Sequence, residues 1–168
     1  KEGTLTISGS GAINDNTEYK KYKNQIKSLV LEKGITSIGK NVFWGYSGIT
    51  GDLIIPDGVT NIGKWAFYGC DGFSGKLVLP NSIVKIEENA FAYCTKLKVV
   101  SIPSSLRCID GISSGTANSN RTFYYSTYID SVYWNANNCR VNQPFYASSN
   151  PRIRGVEFGD SIRNIRYN

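Results

Sequence analysis

The sequence predicts a right-handed solenoid of stacked repeats, with one short parallel β-strand in each repeat and short helical or 3₁₀ turns and loops on the opposite side. Three observations predict it: a fixed interval of 24 residues between similar stretches, a short apolar run opening each repeat, and repeats too small to fold alone. The interval is clearest in three stretches. They read SIGKNVFWGY from residue 37, NIGKWAFYGC from residue 61 and KIEENAFAYC from residue 85.

Six apolar positions recur at this interval and form columns that are predicted to fill the core. These columns are Leu29, Leu53 and Leu77; Leu31, Ile55 and Leu79; Ile35, Val59 and Ile83; Ile38, Ile62 and Ile86; Phe43, Phe67 and Phe91; and Ile49, Phe73 and Leu97. Less regular copies extend the pattern from Leu5 and Ile7 to Val156 and Phe158, which gives seven repeats. Self-similarity at such a period is typical of a solenoid.

Each repeat opens with an apolar run such as LVLE, LIIP, LVLP or VSIP, which suits a strand with one buried face. Pro56, Pro80 and Pro103 follow the run, where a missing amide proton ends a strand. The strands are predicted near residues 4–8, 28–32, 52–56, 76–80, 99–103, 131–135 and 155–159.

One repeat is longer than the others. From Ile102 to Trp134 the distance is 32 residues, and the extra length falls near residues 111–122, which are rich in Gly, Ser, Asn and Thr. This composition predicts a solvated loop that leaves the stack, and irregular loops on a regular scaffold often carry recognition.

A single repeat cannot fold alone, because the backbone entropy of its 24 residues outweighs the burial of about six apolar side chains. Repeats that share a core can fold together, so residues 1–168 are expected to form one repeat domain. The chain begins inside its first repeat and ends without an evident polar cap, which favours a fragment of a longer protein. The open last repeat is then a candidate for self-association.

The pattern apolar-x-apolar-Pro-x-x-Ile/Val-x-x-Ile, followed after four intervening residues by Phe-x-x-Cys, resembles the BspA-like leucine-rich repeats of bacterial surface proteins. The segments LIIPDGVTNIGKWAFYGC and LVLPNSIVKIEENAFAYC carry this resemblance, which extends more weakly over essentially the whole chain. It implies a leucine-rich-repeat solenoid that is secreted or held at a bacterial cell surface and binds host or partner proteins. It implies no catalytic residues.

Composition argues against an enzyme. The chain has no histidine, which removes the usual activation of serine and cysteine nucleophiles and the commonest transition-metal ligand. Glu87 and Glu88 are neighbours in a predicted turn and the other acids are scattered, which disfavours a glycosidase pair or a calcium site. We therefore expect no enzymatic activity, cofactor or metal. Two alternatives remain: a structural spacer in a surface protein, and a β-helix-type carbohydrate-active enzyme, which three strands per repeat would favour.

The sequence gives two indications of location. No apolar run approaches the roughly 18 residues of a membrane span, so membrane insertion is not expected. The opening KEGTLTISGS has no apolar segment of a secretory signal, so a secreted or surface location would apply to a mature or trimmed chain.

Four cysteines are present, without CxxC spacing. Cys70 and Cys94 share a column with Tyr46, Ser126 and Ser148, which favours a packing role. A disulfide between Cys70 and Cys94 is the alternative, because strands about 4.7–4.9 Å apart fall within the Cα separation of about 4.4–6.8 Å that a disulfide spans. Cys108 is expected near the surface and Cys139 in the core.

The residue between the two inward strand positions forms a column on the open face of the sheet, and this column is the first candidate site. Two interpretations are open for this column. It is either a binding surface for an extracellular protein or glycan, or a set of β-branched residues that suit strands. Its central members are Val30, Ile54, Val78, Ser101 and Tyr133, flanked by Thr6 and Glu157.

The second candidate is a lysine cluster in a chain of net charge +6, formed by Lys20, Lys21, Lys23 and Lys27. It is either an anion-binding patch or the solvated face of a helix whose Tyr19, Tyr22 and Ile26 point inward. No specific nucleic-acid binding is expected.

Aromatic residues outside the core columns are the third candidate. They could stack on sugar rings, anchor a protein partner, or pack between repeats. They are Trp44, Trp65, Tyr68, Tyr124, Tyr125 and Tyr146.

Overall fold

The computed structural model describes residues 3–15, 17–109, 121–137, 139–141, 151–153 and 155–159, and the statements below concern these residues. Their strands stack in parallel ladders into a solenoid, as the sequence predicts. Most of the predicted insertion (111–122) lies outside the described residues, as do Phe145, Tyr146 and Ser148.

The main sheet is formed by the strands that open the repeats, and each overlaps the range predicted for it. They are β1 (Thr4–Ile7), β3 (Ser28–Leu31), β5 (Gly51–Ile54), β7 (Phe73–Val78), β9 (Val99–Ile102), β11 (Ser131–Trp134) and β13 (Gly155–Phe158). Strands β5 to β13 pair continuously, whereas β1 and β3 form a ladder of their own. A hydrogen bond of 3.1 Å from the Thr50 amide to the Lys27 carbonyl links the two ladders.

A second sheet of six short strands runs beside the first, where the sequence analysis expected only turns and loops. Its strands are β2 (Gly11–Ile13), β4 (Ile35–Ile38), β6 (Asn61–Ile62), β8 (Lys85–Ile86), β10 (Cys108–Ile109) and β12 (Arg140–Val141). Most are only two residues long and bury one apolar side chain, such as Ile62 or Ile86, so they show no alternation in the sequence. In the described residues the one helix, α1 (Thr17–Lys20), has four residues.

The turns on the remaining side of each repeat form a third line of hydrogen bonds between repeats, which we call the turn ladder. The amide of Phe43 donates to the Ala66 carbonyl at 2.8 Å, and the amide of Phe67 donates to the Ala90 carbonyl at 2.8 Å. The Phe91 amide donates to the Thr122 carbonyl at 2.9 Å, so the ladder continues across the longer repeat. Backbone groups that a turn would otherwise leave unpaired are thereby satisfied.

A column of stacked phenylalanine rings lies at the centre of the core. The ring centroids of Phe43 and Phe67 are 5.0 Å apart, those of Phe67 and Phe91 5.4 Å, and those of Phe91 and Phe123 5.5 Å. The predicted columns of residues 35–97 are buried around it. The prediction fails for Val156 and Phe158, which are 38% and 51% exposed, because β13 is the edge strand of the main sheet in the described residues.

Cys70 and Cys94 are buried free thiols, so the structure does not contain the disulfide considered above. The Cys70 thiol donates to the Phe43 carbonyl at 3.0 Å, and the Cys94 thiol donates to the Phe67 carbonyl at 3.2 Å. The Ser126 hydroxyl makes the equivalent bond, to the Phe91 carbonyl at 2.7 Å. Burial raises the pKa of Cys70 to about 12, so the column serves packing and hydrogen bonding.

Candidate functional site

The structure places the first candidate column on the outer face of the main sheet. Val30, Ile54, Val78 and Tyr133 are exposed and Ser101 is half-buried. Ile54 pairs with Val78, Val78 with Ser101, and Ser101 with Tyr133, so these four form one continuous row. Val30 pairs instead with Thr6 in the two-stranded ladder, so the row is interrupted between Val30 and Ile54.

A cavity of about 890 Å³ lies at the Tyr133 end of this row. It is lined by Asp130, Ser131, Val132, Tyr133, Pro151, Arg152 and Glu157. That Asp130 and Glu157 share a cavity is not visible in the sequence, because they come from different repeats. Both carboxylates are exposed to solvent, and Arg152 lies 4.1 Å from the centre of the Tyr128 ring.

The lysine cluster has local partners. Lys20 forms an ion pair with Asp15, the Lys21 ammonium lies 5.2 Å from the centre of the Tyr22 ring, and Lys27 donates to the Asn24 carbonyl at 3.4 Å. These contacts favour a solvated surface. The prediction that Tyr22 points inward is wrong, since this ring is 50% exposed. Helix α1 ends at Lys20 and turns follow, so helical spacing does not extend to residue 22.

An aromatic cleft of about 390 Å³ lies on the turn side of the solenoid. It is lined by Asn41, Trp44, Trp65, Tyr68, Asn89, Tyr93 and Tyr124. Ring centroids lie 6.1 Å apart for Trp44 and Tyr68, 5.1 Å for Tyr68 and Tyr93, and 5.8 Å for Tyr93 and Tyr124. Four repeats therefore contribute to one aromatic surface.

Positive charge is held at one wall of the aromatic cleft. The ammonium groups of Lys40 and Lys64 lie 5.1 Å and 4.6 Å from the centre of the Trp65 ring. Lys64 also pairs with Glu88, at 2.5 Å. Burial, followed by the neighbouring Tyr68 and Tyr125 phenols, raises the pKa of Tyr93, so this phenol is neutral at physiological pH.

The backbone under the aromatic cleft has a distinctive conformation. Two positions have positive φ in three successive turns and one of them has it in a fourth, and Gly45 and Gly69 occupy the shared position in successive repeats, at 74° and 70°. The next two repeats place Tyr93 and Tyr125 at that position, at 58° and 55°. The other position is held by Asn41, Trp65 and Asn89. In the described part of the chain, every non-glycine residue with positive φ lines the aromatic cleft except Tyr125, which stacks on Tyr93.

Two polar atoms of the cleft residues have no hydrogen-bond partner. They are the buried Oδ1 atoms of Asn41 and Asn89, and Asn89 as a whole is only 5% exposed. Five of the aromatic residues were expected from the sequence, namely Trp44, Trp65, Tyr68, Tyr124 and Tyr125, whereas Tyr93, Asn41 and Asn89 were not. Tyr93 could have been noticed because the two preceding repeats have glycine at its position.

Metal ligands and membrane-spanning helices are the two remaining features that bear on function. No group of three or more potential metal-ligating side chains occurs in them. Nor do they contain a helix of the length and apolar character needed to span a membrane.

Comparison with known proteins identifies one family. Residues 13–114 match the BspA type leucine rich repeat region, in six copies. No curated protein matches the chain.

Solved structures give the same fold. A leucine-rich repeat protein from Eubacterium ventriosum is 21% identical with a TM-score of 0.66, over 94% of this chain and 40% of its own. A leucine rich cell surface protein from Faecalibacterium prausnitzii is 20% identical with a TM-score of 0.55, over 82% of this chain and 42% of its own. The chain therefore spans less than half the length of either protein.

Proposed function

Because the chain belongs to the BspA-type leucine-rich repeat family, we propose that it is a non-enzymatic recognition and adhesion module. It binds an extracellular protein partner through the outer face of the main sheet and belongs to a secreted or surface protein of a bacterium. The similar Faecalibacterium prausnitzii protein is described as a cell surface protein, which supports that location.

The observation that carries the proposal is the exposed row on the main sheet. Ile54 is 61% exposed and lies directly beside Val78, and the row continues to Tyr133, which is 41% exposed. Contiguous exposed apolar side chains often mark interaction sites. Strand preference accounts for isoleucine, valine and tyrosine at these positions, but it does not account for their place in one exposed row that ends at a large cavity.

The partner best suited to this face is a protein. Protein interfaces combine an apolar centre with a polar rim, and here an apolar row leads to a cavity with Asp130, Arg152 and Glu157 in its lining. Strands β7, β9 and β11 are held on both sides by hydrogen bonds, so little conformational entropy is lost when a partner binds.

Several observations favour recognition over catalysis. The family and the similar structures are repeat proteins rather than enzymes. Asp130 and Glu157 share a cavity, but both are solvent-exposed, whereas the acid of a glycosidase is sheltered from water. Glu87 and Glu88 are each engaged by a lysine.

The proposal is tested by screening the purified domain against extracellular-matrix proteins at low and physiological salt. The test variant is Ile54→Lys/Val78→Lys, which places charge in the row. Val84→Lys is the matched control, because Val84 is an equally exposed valine outside the main sheet. We expect binding at physiological salt that the double variant abolishes and the control retains.

Other results would overturn the proposal. Binding that the double variant retains would place recognition elsewhere. Binding that disappears at physiological salt would indicate non-specific attraction to the lysines. Absence of binding at both salt concentrations would favour the spacer.

A further inference from the structure

We propose that the aromatic cleft is a carbohydrate-binding site, separate from the protein-binding face proposed above. In this site a sugar ring stacks on the face of Trp44, which is 54% exposed, its edge contacts Tyr68 and Tyr93, and its hydroxyl groups bond to the side chains of Asn41 and Asn89. The inference rests on backbone conformation, on unpaired polar atoms and on the charge beside the rings.

Backbone conformation shows that the tyrosines are held there at a cost. An L-residue in the left-handed region is strained because its Cβ crowds the following carbonyl oxygen, and glycine avoids this cost. Gly45 and Gly69 show that the turn needs no side chain at this position, yet Tyr93 and Tyr125 occupy it. Residues in this region that are not glycine cluster at ligand sites, where the strain is retained for function.

Packing between the rings compensates this backbone strain. Tyr93 and Tyr125 stack with their centroids 5.3 Å apart and their planes at 6°. Tyr93 also contacts the Tyr68 and Tyr124 rings, and Tyr125 contacts Tyr124 at 4.6 Å, so these ring pairs hold both tyrosines at the surface in spite of the strain. Tyr125 also remains exposed, so core burial does not explain its position.

The unpaired Oδ1 of Asn89 indicates what the ligand carries. A buried polar atom without a partner is destabilising, and such atoms in native proteins call for an explanation. Asn89 lines the aromatic cleft and is almost completely buried. Because the Oδ1 atom is itself buried, the Asn89 side chain must rotate to bring it to the cleft, where a ligand hydroxyl would satisfy it and a purely apolar ligand would not.

The lysines beside Trp65 disfavour cationic ligands, just as the unpaired Asn89 oxygen disfavours purely apolar ones. Aromatic faces attract cations, but the ammonium groups of Lys40 and Lys64 already lie over this ring. They would repel a cationic ligand. What remains is a neutral or anionic molecule with an apolar face and several hydroxyl groups, which is the chemistry of a saccharide. The cleft volume of about 390 Å³ falls in the range of small-molecule sites, roughly 300–1,000 Å³.

A planar nucleobase fits this arrangement less well. Neighbouring rings already touch and are steeply inclined, at 82° for Trp44 and Tyr68 and 75° for Tyr93 and Tyr124. They leave no parallel slot in which a base could be sandwiched.

The test uses the whole domain on an array of neutral and acidic oligosaccharides. Any oligosaccharide that binds is then titrated by calorimetry, with mononucleotides as competitors. The central variant is Tyr93→Gly, which removes a ring and gives this repeat the residue found at positions 45 and 69. We expect it to remain folded and to lose affinity by about tenfold or more. Asn89→Ala should also weaken binding.

Tyr133→Ala is the matched control, because it removes an exposed tyrosine from the main sheet. It should leave the affinity for the sugar unchanged and lower only the affinity for the protein partner, so the two proposals can fail separately. The carbohydrate proposal is overturned by an array on which no oligosaccharide binds, by a Tyr93→Gly affinity within about twofold of the native value, or by mononucleotides that displace the sugar.

Discussion

Replacement of Phe67 by alanine tests whether the stacked phenylalanines hold the repeats together. Phe67 is fully buried, with the rings of Phe43 and Phe91 at 5.0 Å and 5.4 Å on its two sides. The ring of Phe73 approaches its edge at 6.4 Å, inclined at 72°. The substitution therefore opens a cavity at the centre of the stack and removes three aromatic contacts.

The expected loss of unfolding free energy is large. Truncation of a buried phenylalanine to alanine costs about 3–5 kcal/mol, and the loss of contacts on both faces places Phe67→Ala at about 4–5 kcal/mol. Phe67→Leu is the comparison. It retains most of the apolar volume but loses the stacking, so it should cost only about 1–2 kcal/mol.

Urea unfolding followed by circular dichroism measures both variants. We also expect a lower slope for Phe67→Ala, because each repeat contacts only its neighbours and a central cavity lets the two halves unfold separately. A loss below about 1.5 kcal/mol for Phe67→Ala would refute a continuous core. Equal losses for alanine and leucine would refute a contribution from stacking.

Three further predictions concern single positions. Tyr46→Phe should raise the free energy of unfolding by about 1 kcal/mol, because the Tyr46 hydroxyl is buried without a partner; a loss of stability in urea would contradict this. The pKa of Cys70 is raised from 9.0 to about 12, so the thiol stays neutral in the fold while the unfolded chain ionises. The free energy of unfolding should therefore fall as pH rises from 9 to 12, by up to about 1.4 kcal/mol per pH unit. Urea unfolding at a series of pH values measures this fall, which should be smaller for Cys70→Ser. Gly72→Ala should lose about 1–3 kcal/mol, because a Cβ there would lie 2.0 Å from the Ile49 carbonyl oxygen; an unchanged melting temperature would refute this clash.

The fold could be predicted because the main sheet repeats its apolar residues at a constant interval. The second sheet could not, because a strand such as β8 (Lys85–Ile86) contributes one buried residue and has no period of its own. Tyr22 was misplaced for a related reason. Its spacing from Tyr19 suits a helix, but the chain leaves the helix after four residues, and local spacing carries no information about where a helix ends.

The aromatic cleft could be predicted only in part. Surface aromatics are visible in the sequence, so Trp44 and Tyr68 were found. Tyr93 was not found, because its place in the cleft depends on a left-handed backbone conformation that cannot be deduced from the residue type. The same holds for Asn89, whose unpaired oxygen is a property of its surroundings.

The turn ladder has a consequence for how such a chain can diversify. The longer repeat spans 32 residues from Ile102 to Trp134, with its extra length between Ile109 and Arg121, yet Cys108 pairs with Arg140 and the Phe91 amide donates to the Thr122 carbonyl at 2.9 Å. The stacking of the repeats depends on the hydrogen bonds of the ladders and not on the number of residues between them. A segment inserted at this point can change in length and composition while Tyr124 keeps its place in the aromatic cleft. New specificity can therefore arise at the border of a binding surface without any change in the residues that fold it.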